Sequence, residues 1–449
     1  PAVDERPRSP RARGTTVSVQ PLSPPSARHA WRFHLRLRQG ILHRWFGQLG
    51  PGIVTGASDD DPSGIATYSA AGAQTGYRFL WTALLTLPLM AVIQDMCARI
   101  GLVTGHGLAG ALRLRFPRPV VLAAVALLFV ANIFNVGSDI AAIAAALNLL
   151  VPIPIRLLVA PIGIGLVALQ ILAPYRLISR VFKWLTLALL AYVLTAFIAH
   201  PNLPAVLRGT VIPHLSLTRA DIGLFVAILG TTISPYLFFW QTSQEVEEHH
   251  ETASDGLPPE RVRAVDRDVY LGMLYAVGAM FFLILTTGAT LHNTGTTEIA
   301  TAADAAAALK PLAGPLASLV FAVGIIGTGV LAIPILTGSV AYAFAECFDW
   351  TEGLDTHFRE AWRFYAVIGV GTLIGVVLTL VGIDPIRALI WTAQLNGIAA
   401  PPLMLLILIL CNDRALMGPY ANGVGKNLIA GAAILLMTAA AVALFVVGG

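Results

Sequence analysis

From residue 50 onward the chain is a succession of apolar runs separated by short polar loops. The runs are close to the ~20 residues that cross a bilayer as helix, and about eleven are counted by that length criterion. Stretches such as VLAAVALLFVA and LLILIL are apolar without interruption, whereas the strands of a membrane barrel alternate polar and apolar positions. The pattern predicts an all-α, polytopic membrane protein of about eleven transmembrane helices.

The spans are expected over Gly50–Gly76, Phe79–Val103, a third ending near Leu150, Pro152–Ala173, a fifth ending near His200, and Asp221–Gln244. The last five follow at 269–291, 313–344, 364–383, 385–410 and 427–447. Arg113, Arg115 and Arg118 follow span two, and Arg176, Arg180 and Lys183 precede span five. These loops and the amino-terminal segment fall on one side, which the excess of Lys and Arg in cytoplasmic loops makes the inside. A multi-pass protein of the cell membrane is expected, with its amino terminus cytoplasmic and its carboxy terminus outside. Residues 1–45 are rich in Arg, Pro and Ser with no apolar centre, and read as a disordered basic cytoplasmic tail.

Two spans break the pattern. The first reads GPGIVTGASDDDPSGIATYSAAGAQTG and places Asp59, Asp60 and Asp61 at membrane depth, followed by Pro62, Ser63 and Gly64. An ionisable side chain there is costly and marks a functional site by default. Pro and Gly free backbone groups that must line a cavity. The sixth, DIGLFVAILGTTISPYLFFWQTSQ, clusters Gly230, Thr231, Thr232, Ser234 and Pro235 in its middle, and Pro235 both removes a donor and clashes with the preceding turn. Broken helices five spans apart are the sign of an inverted five-plus-five repeat with a substrate site between the breaks. The repeats are expected at about residues 46–200 and 218–410 of a transporter domain 46–449, with 427–447 as an extra helix.

Composition narrows the function classes. Hydrophobic residues make up 56% of the 449-residue chain and charged ones 12%, half the share of a soluble domain, and the mean hydropathy is +0.74. Nucleic-acid binding is not indicated by the net charge of +4, because basic residues in such a chain report orientation. Cys97, Cys347 and Cys411 lie near cytoplasmic helix ends, where disulfides are not expected. His249 and His250 sit in a loop of mixed charge that reads as a solvated face rather than a metal site. Asn132 and Asn135 are expected to bond between helices. No phosphate-binding loop is present, and the chain is not expected to be an enzyme or to need a cofactor or an obligate protein partner.

These residues resemble the Nramp divalent-metal transporters, and more closely their Nramp-related magnesium-transporting branch. The likeness rests on GPG…DP in span one, RIGLVTG after span two, Tyr175–Trp184 at the start of span five and Gln394 in span ten. It covers the chain from about residue 46 onward. The family carries Asp-Pro-Gly-Asn at the first break and Met-Pro-His at the sixth; here the positions read Asp61-Pro62-Ser63-Gly64 and Ser234-Pro235-Tyr236. The resemblance implies a metal site built from Asp61, the backbone at Gly64 and Thr231, the Ser234 hydroxyl and Gln394; Asp59 and Asp60, as intramembrane acids that cannot face the same ion, read as secondary cation contacts or as partners across the bundle. Loss of the thioether and amide leaves oxygen ligands alone, which suit hard cations. Space at Gly64 suits an ion that keeps its waters, as Mg2+ does. Mg2+ is the expected substrate and Mn2+ is also accepted. The family's proton-relay positions correspond to Tyr236, Gln241, Asp139 and Ala142; only the acid at Asp139 remains, and neither Tyr nor Gln titrates near neutrality. Uncoupled uptake by alternating access is therefore expected. The competing readings are a proton-coupled manganese or iron transporter, a sodium-coupled carrier of organic solutes on the same fold, and an intramembrane enzyme pairing Asp61 with Asp139.

Overall fold

The computed structural model describes residues 50–172, 189–249, 257–354 and 356–448. The basic tail, Tyr175–Trp184 and His250 lie outside them. Fifteen helices organise the described chain. They are α1 (Pro51–Asp59), α2 (Pro62–Thr75), α3 (Trp81–Thr104), α4 (Leu108–Arg115), α5 (Arg118–Leu150), α6 (Ile155–Leu172), α7 (Leu190–Ile198) and α8 (Leu203–Val211). Then follow α9 (Arg219–Thr232), α10 (Pro235–His249), α11 (Pro259–Thr290), α12 (Ala317–Phe348), α13 (Trp362–Leu380), α14 (Pro385–Asn412) and α15 (Val424–Gly448), with short turns of helix between some of them. Among the described residues nine helices are long and apolar enough to span a membrane, against about eleven expected from length alone. The difference has two sources. Span one is divided into α1 and α2, of 9 and 14 residues, neither of which reaches the length needed. Of span five only the part from residue 189 is described.

The loops sort into two faces. On one, Arg113 pairs with Asp349 at 2.7 Å, Arg115 with Asp413 at 2.9 Å, and Tyr420 Oη donates to Leu257 O at 2.7 Å. On the other, Arg78 pairs with Asp221 at 3.1 Å and Arg387 with Glu298 at 3.7 Å. Each of these exposed or half-exposed pairs contributes little to stability. They report instead that even and odd connections lie on opposite sides, as a regular up-and-down traverse requires.

Both predicted breaks are present. Helix α1 ends where Asp60 leaves helical geometry (φ −81°, ψ 49°), and Asp61 is extended (φ −67°, ψ 172°). Helix α2 then restarts with Pro62 in its first turn, where the missing N–H has no partner to lose. In the sixth span Ile233 departs from the helix (φ −114°, ψ 66°), and α10 begins at Pro235.

Helix α11 lies along both halves of the first span. A Cβ on Gly52 would come within 2.6 Å of the Val269 backbone, and one on Gly56 would overlap the backbone of Gly272. These two positions need glycine because helix backbone meets helix backbone. Asp268 of α11 accepts the Gly52 N–H at 2.7 Å, satisfying a donor at the N-terminus of α1.

Candidate metal site

Asp61 stands where the two breaks meet, as the N-cap of α2. Its Oδ1 accepts the Ser63 hydroxyl at 2.7 Å and the Gly64 N–H at 2.8 Å. Its Oδ2 has only longer neighbours, Asn135 Nδ2 at 3.4 Å and Tyr236 Oη at 3.5 Å. One carboxylate oxygen is thus used by the fold and the other is left available. The helices are tied across the junction. Ser63 Oγ lies 3.3 Å from Thr231 Oγ1, Tyr68 Oη 3.0 Å from Thr232 Oγ1, and Tyr236 Oη donates to Ser58 O at 3.1 Å. The last bond occupies a carbonyl that the end of α1 would otherwise leave without a helical partner.

The site is buried and rich in unsatisfied acid. Asp59, Asp60, Asp61 and Asp139 are each no more than 2% exposed. Both oxygens of Asp59, Asp60 and Asp139 lack hydrogen-bond partners. Among the described residues the one buried basic side chain is Arg99, which is committed to Asp95, Tyr420 O and Asn422. Buried charge without a partner is expensive, and a bound cation is the natural counter-charge. Among the described residues no three acidic, His or Cys side chains converge as a metal cluster. A cation at Asp61 would therefore complete its shell with neutral oxygens and water.

The other expected ligands are placed differently from one another. Gly64 and Thr231 do meet: a Cβ on Gly64 would lie 3.3 Å from Thr231 Oγ1 and 3.2 Å from Asp59 O. Ser234 is at the second break, but its hydroxyl turns back to Gly230 O at 2.9 Å and Thr231 O at 2.8 Å. It satisfies carbonyls that the break released. Gln394 is not beside Asp61: its Nε2 donates to Gly223 O at 3.0 Å, and it lines a cavity of about 590 Å³ with Gln74, Arg219 and Trp391. Gly223 precedes Thr231 by eight residues of α9, about 12 Å along the axis at 1.5 Å per residue. Tyr236 is at the site, whereas Gln241 points along α10 to Glu245 Oε1 at 2.7 Å. Asp139 lies on α5 one turn from Asn135, within electrostatic reach of Asp61.

Ser63, Tyr68 and Asn135 also belong to the site, although nothing in the sequence singles them out for it. Asn132 and Asn135 look alike in sequence. Asn132 does bond between helices, to Leu336 O at 2.8 Å and Ser339 Oγ at 2.9 Å, while Asn135 faces Asp61. The three cysteines are unpaired.

Comparison with known proteins agrees with this architecture. The family profile Nramp, described as natural resistance-associated macrophage protein-like, matches residues 52–447. A divalent metal cation transporter MntH of Aeromonas hydrophila is 26% identical over 395 residues, covering 85% of this chain and 92% of that protein. The chain shares its fold with a manganese transporter of Eremococcus coleocola solved with an aromatic bis-isothiourea substituted compound. The TM-score is 0.73 and identity 18%, over 90% of this chain and 87% of that one. It also resembles Mhp1, a nucleobase-cation-symport-1 family transporter, with TM-score 0.59 and 15% identity over 89% and 92% of the two chains. The profile spans nearly every described helix, including both breaks, and the protein belongs to the Nramp family, whose members are transporters and not enzymes.

Proposed function

We propose that the protein is a secondary transporter that carries hard divalent cations into the cell by alternating access, Mg2+ first and Mn2+ also, without an obligatory proton partner. The observation that carries the reading is Asp61 itself. One oxygen is fixed by the α2 cap and the other has only long contacts, to Asn135 and Tyr236, among buried carboxylates with no basic partner. The neighbours of that second oxygen are amide and hydroxyl groups. A set of carboxylate, amide, hydroxyl and water favours hard cations over soft ones. The family's thioether at the sixth break is replaced here by the Ser234 hydroxyl, and Met280 Sδ accepts from Thr232 at 3.7 Å and Thr86 at 3.9 Å. The similar protein of Eremococcus coleocola is a manganese transporter, and that likeness supports a divalent cation as the cargo here.

The face bearing Arg113, Arg115 and Arg118 is assigned to the cytoplasm by the excess of positive charge. Entry of a divalent cation is then aided by the membrane voltage, about 2.3 kcal/mol per charge per 100 mV. Tyr236 takes the place of a relay histidine and is held to the carbonyl of Ser58, a structural bond rather than a proton path.

The test is uptake into proteoliposomes with a panel of Mg2+, Mn2+, Ca2+ and Fe2+ while internal pH is followed. Uptake of Mg2+ with no matching acidification is expected. Acidification in strict proportion to metal would replace this reading with the proton-coupled one, for which Asp139 near Asp61 is the available group. Inhibition by organic solutes in place of metals would favour the sodium-coupled alternative.

A further inference from the structure

Helices α5 and α14 run antiparallel along one seam. At one end Arg115, just before α5, pairs with Asp413, just after α14, at 2.9 Å. In the middle Thr392 Oγ1 donates to Ser138 Oγ at 3.2 Å. At the other end Ala142 and Ala145 share the wall of a small apolar cavity with Ile386 and Leu389. Residue numbers rise on one helix as they fall on the other. One turn from Ser138 toward the Arg115 end lies Asn135, and one turn from Thr392 in the same direction lies Asn396, each on the same helix face as its neighbour. The seam therefore sets Asn396 opposite Asn135, whose Nδ2 is 3.4 Å from Asp61 Oδ2.

Asn396 is 1% exposed, and neither its Oδ1 nor its Nδ2 has a partner; Asn135 Oδ1 has none either. An asparagine carries two donors and a two-lone-pair acceptor, and leaving them unmade inside a protein is costly. Asn132, one turn from Asn135 on α5, donates its Nδ2 across to α12, while its Oδ1 has no partner. Of the three asparagines Asn396 alone has both amide atoms without a partner.

We propose that Asn135 and Asn396 form the far wall of the ion site and receive the water shell of the cation held at Asp61, so that α14 contributes Asn396, and not Gln394, to ion selection. Metal-bound water presents hydrogens outward, and the two amides carry the unpartnered Oδ1 acceptors that could receive them. This rests on the transport reading above and deepens it, naming a hydrated hard cation as the species recognised. Mg2+ gives up its waters reluctantly, so an outer wall of acceptors favours it over ions that shed water to reach direct ligands.

The test compares Asn396→Ala, Asn396→Ser, Asn135→Ala and Asn132→Ala by thermal unfolding in metal-free buffer and by uptake of Mg2+ and Mn2+ into proteoliposomes. Asn396→Ala is expected to keep or raise the metal-free unfolding temperature, because it deletes an unsatisfied amide. It should raise the KM for Mg2+ about tenfold, the equivalent of one hydrogen bond to a charged complex, and that for Mn2+ by less. Asn135→Ala should raise the Mg2+ KM alike, although it also removes the Nδ2 contact to Asp61, and Asn396→Ser should fall between Asn396→Ala and wild type. Asn132→Ala should lower the unfolding temperature and leave the ratio of the two KM values unchanged. A Mg2+ KM for Asn396→Ala within about twofold of wild type, with wild type active and Asp61→Asn inactive, would overturn the amide wall alone. A wild type that carries Mn2+ and excludes Mg2+ would overturn the water-shell proposal while leaving metal transport in place. A wild type with no divalent-ion uptake would remove the transport reading itself. Should the alanine variant not fold, the serine variant decides by the same criteria.

Discussion

Replacing Asp61 by Asn separates the cap that the structure shows from the ion binding proposed for the same side chain. Asp61 Oδ1 caps α2 by accepting Ser63 Oγ at 2.7 Å and Gly64 N at 2.8 Å. Asn is as good an N-cap as Asp, so Asp61→Asn should keep the cap, whereas Asp61→Ala should lose about 1 kcal/mol with it. The charge is a different matter. Asp61 shares its surroundings with Asp59, Asp60 and Asp139, whose oxygens are unpartnered, so removing one negative charge relieves repulsion in the metal-free protein. The expected order of unfolding temperature without metal is Asp61→Asn at or above wild type, with Asp61→Ala below Asp61→Asn. Adding Mg2+ at a hundredfold excess over its Kd should stabilise wild type by about 2.7 kcal/mol, and neither variant should respond. The assays are thermal unfolding in detergent with and without Mg2+, and uptake into proteoliposomes. Uptake by Asp61→Asn at the wild-type rate would refute Asp61 as the metal ligand. Metal-free stability of Asp61→Asn as low as that of Asp61→Ala would refute the division of roles between its two oxygens.

Three other outcomes are expected. Ser234→Met exchanges a hydroxyl that bonds only to Gly230 O and Thr231 O for a thioether at the break, and should shift competition in uptake assays toward Mn2+ and softer metals; unchanged selectivity would show that this position does not reach the ion. Gly56→Ala sets a methyl against the backbone of Gly272, which cannot rotate away, and should cost about 1–3 kcal/mol by overpacking, read as a lowered unfolding temperature. The Glu352 carboxyl, in the loop between α12 and α13, is pushed up to about 9 by partial burial and by the Glu346 and Glu247 carboxylates. Its folded pKa is above the ordinary 4.5, so the folded state loses stability as pH rises from about 4.5 toward 9. Glu352→Gln should flatten that part of the pH–stability curve, and a curve parallel to wild type would show that the carboxyl is not so perturbed.

The breaks were legible in sequence because their causes are local. Asp-Pro and Ser-Pro at membrane depth end one helix and start another whatever surrounds them, and both breaks lie where they were expected. Asp61 was legible for the same reason. What could not be read is which way a side chain on an unbroken helix turns. Asn132 and Asn135 are one turn apart with the same chemistry, and only the packing of α5 against α12 and against Asp61 separates a tie between helices from a neighbour of Asp61. Gln394 is a polar residue on an apolar helix at a position matching the family. The rotation of α14 against α9, set by contacts such as the Gly230 backbone on Ala393 and Gly397, carries it to Gly223 instead. Ser234 was rightly placed at the break, but its bonds depend on which carbonyls the break frees, and that is a matter of backbone angles.

The seam between α11 and the divided first span sets a condition on turnover. Gly52 and Gly56 rest on the Val269 and Gly272 backbones below the break, and Gly72 meets Thr287 and the Ile284 carbonyl above it. One continuous rod thus backs a two-piece lever whose pivot is Asp60–Asp61. Any swing of α1 alone must peel main chain from main chain, and the residue that turns at the pivot is the one proposed to hold the ion. With the ion seated there as proposed, unlatching and letting go would share a single coordinate: a motion of α1 that opened an exit would also dismantle the seat.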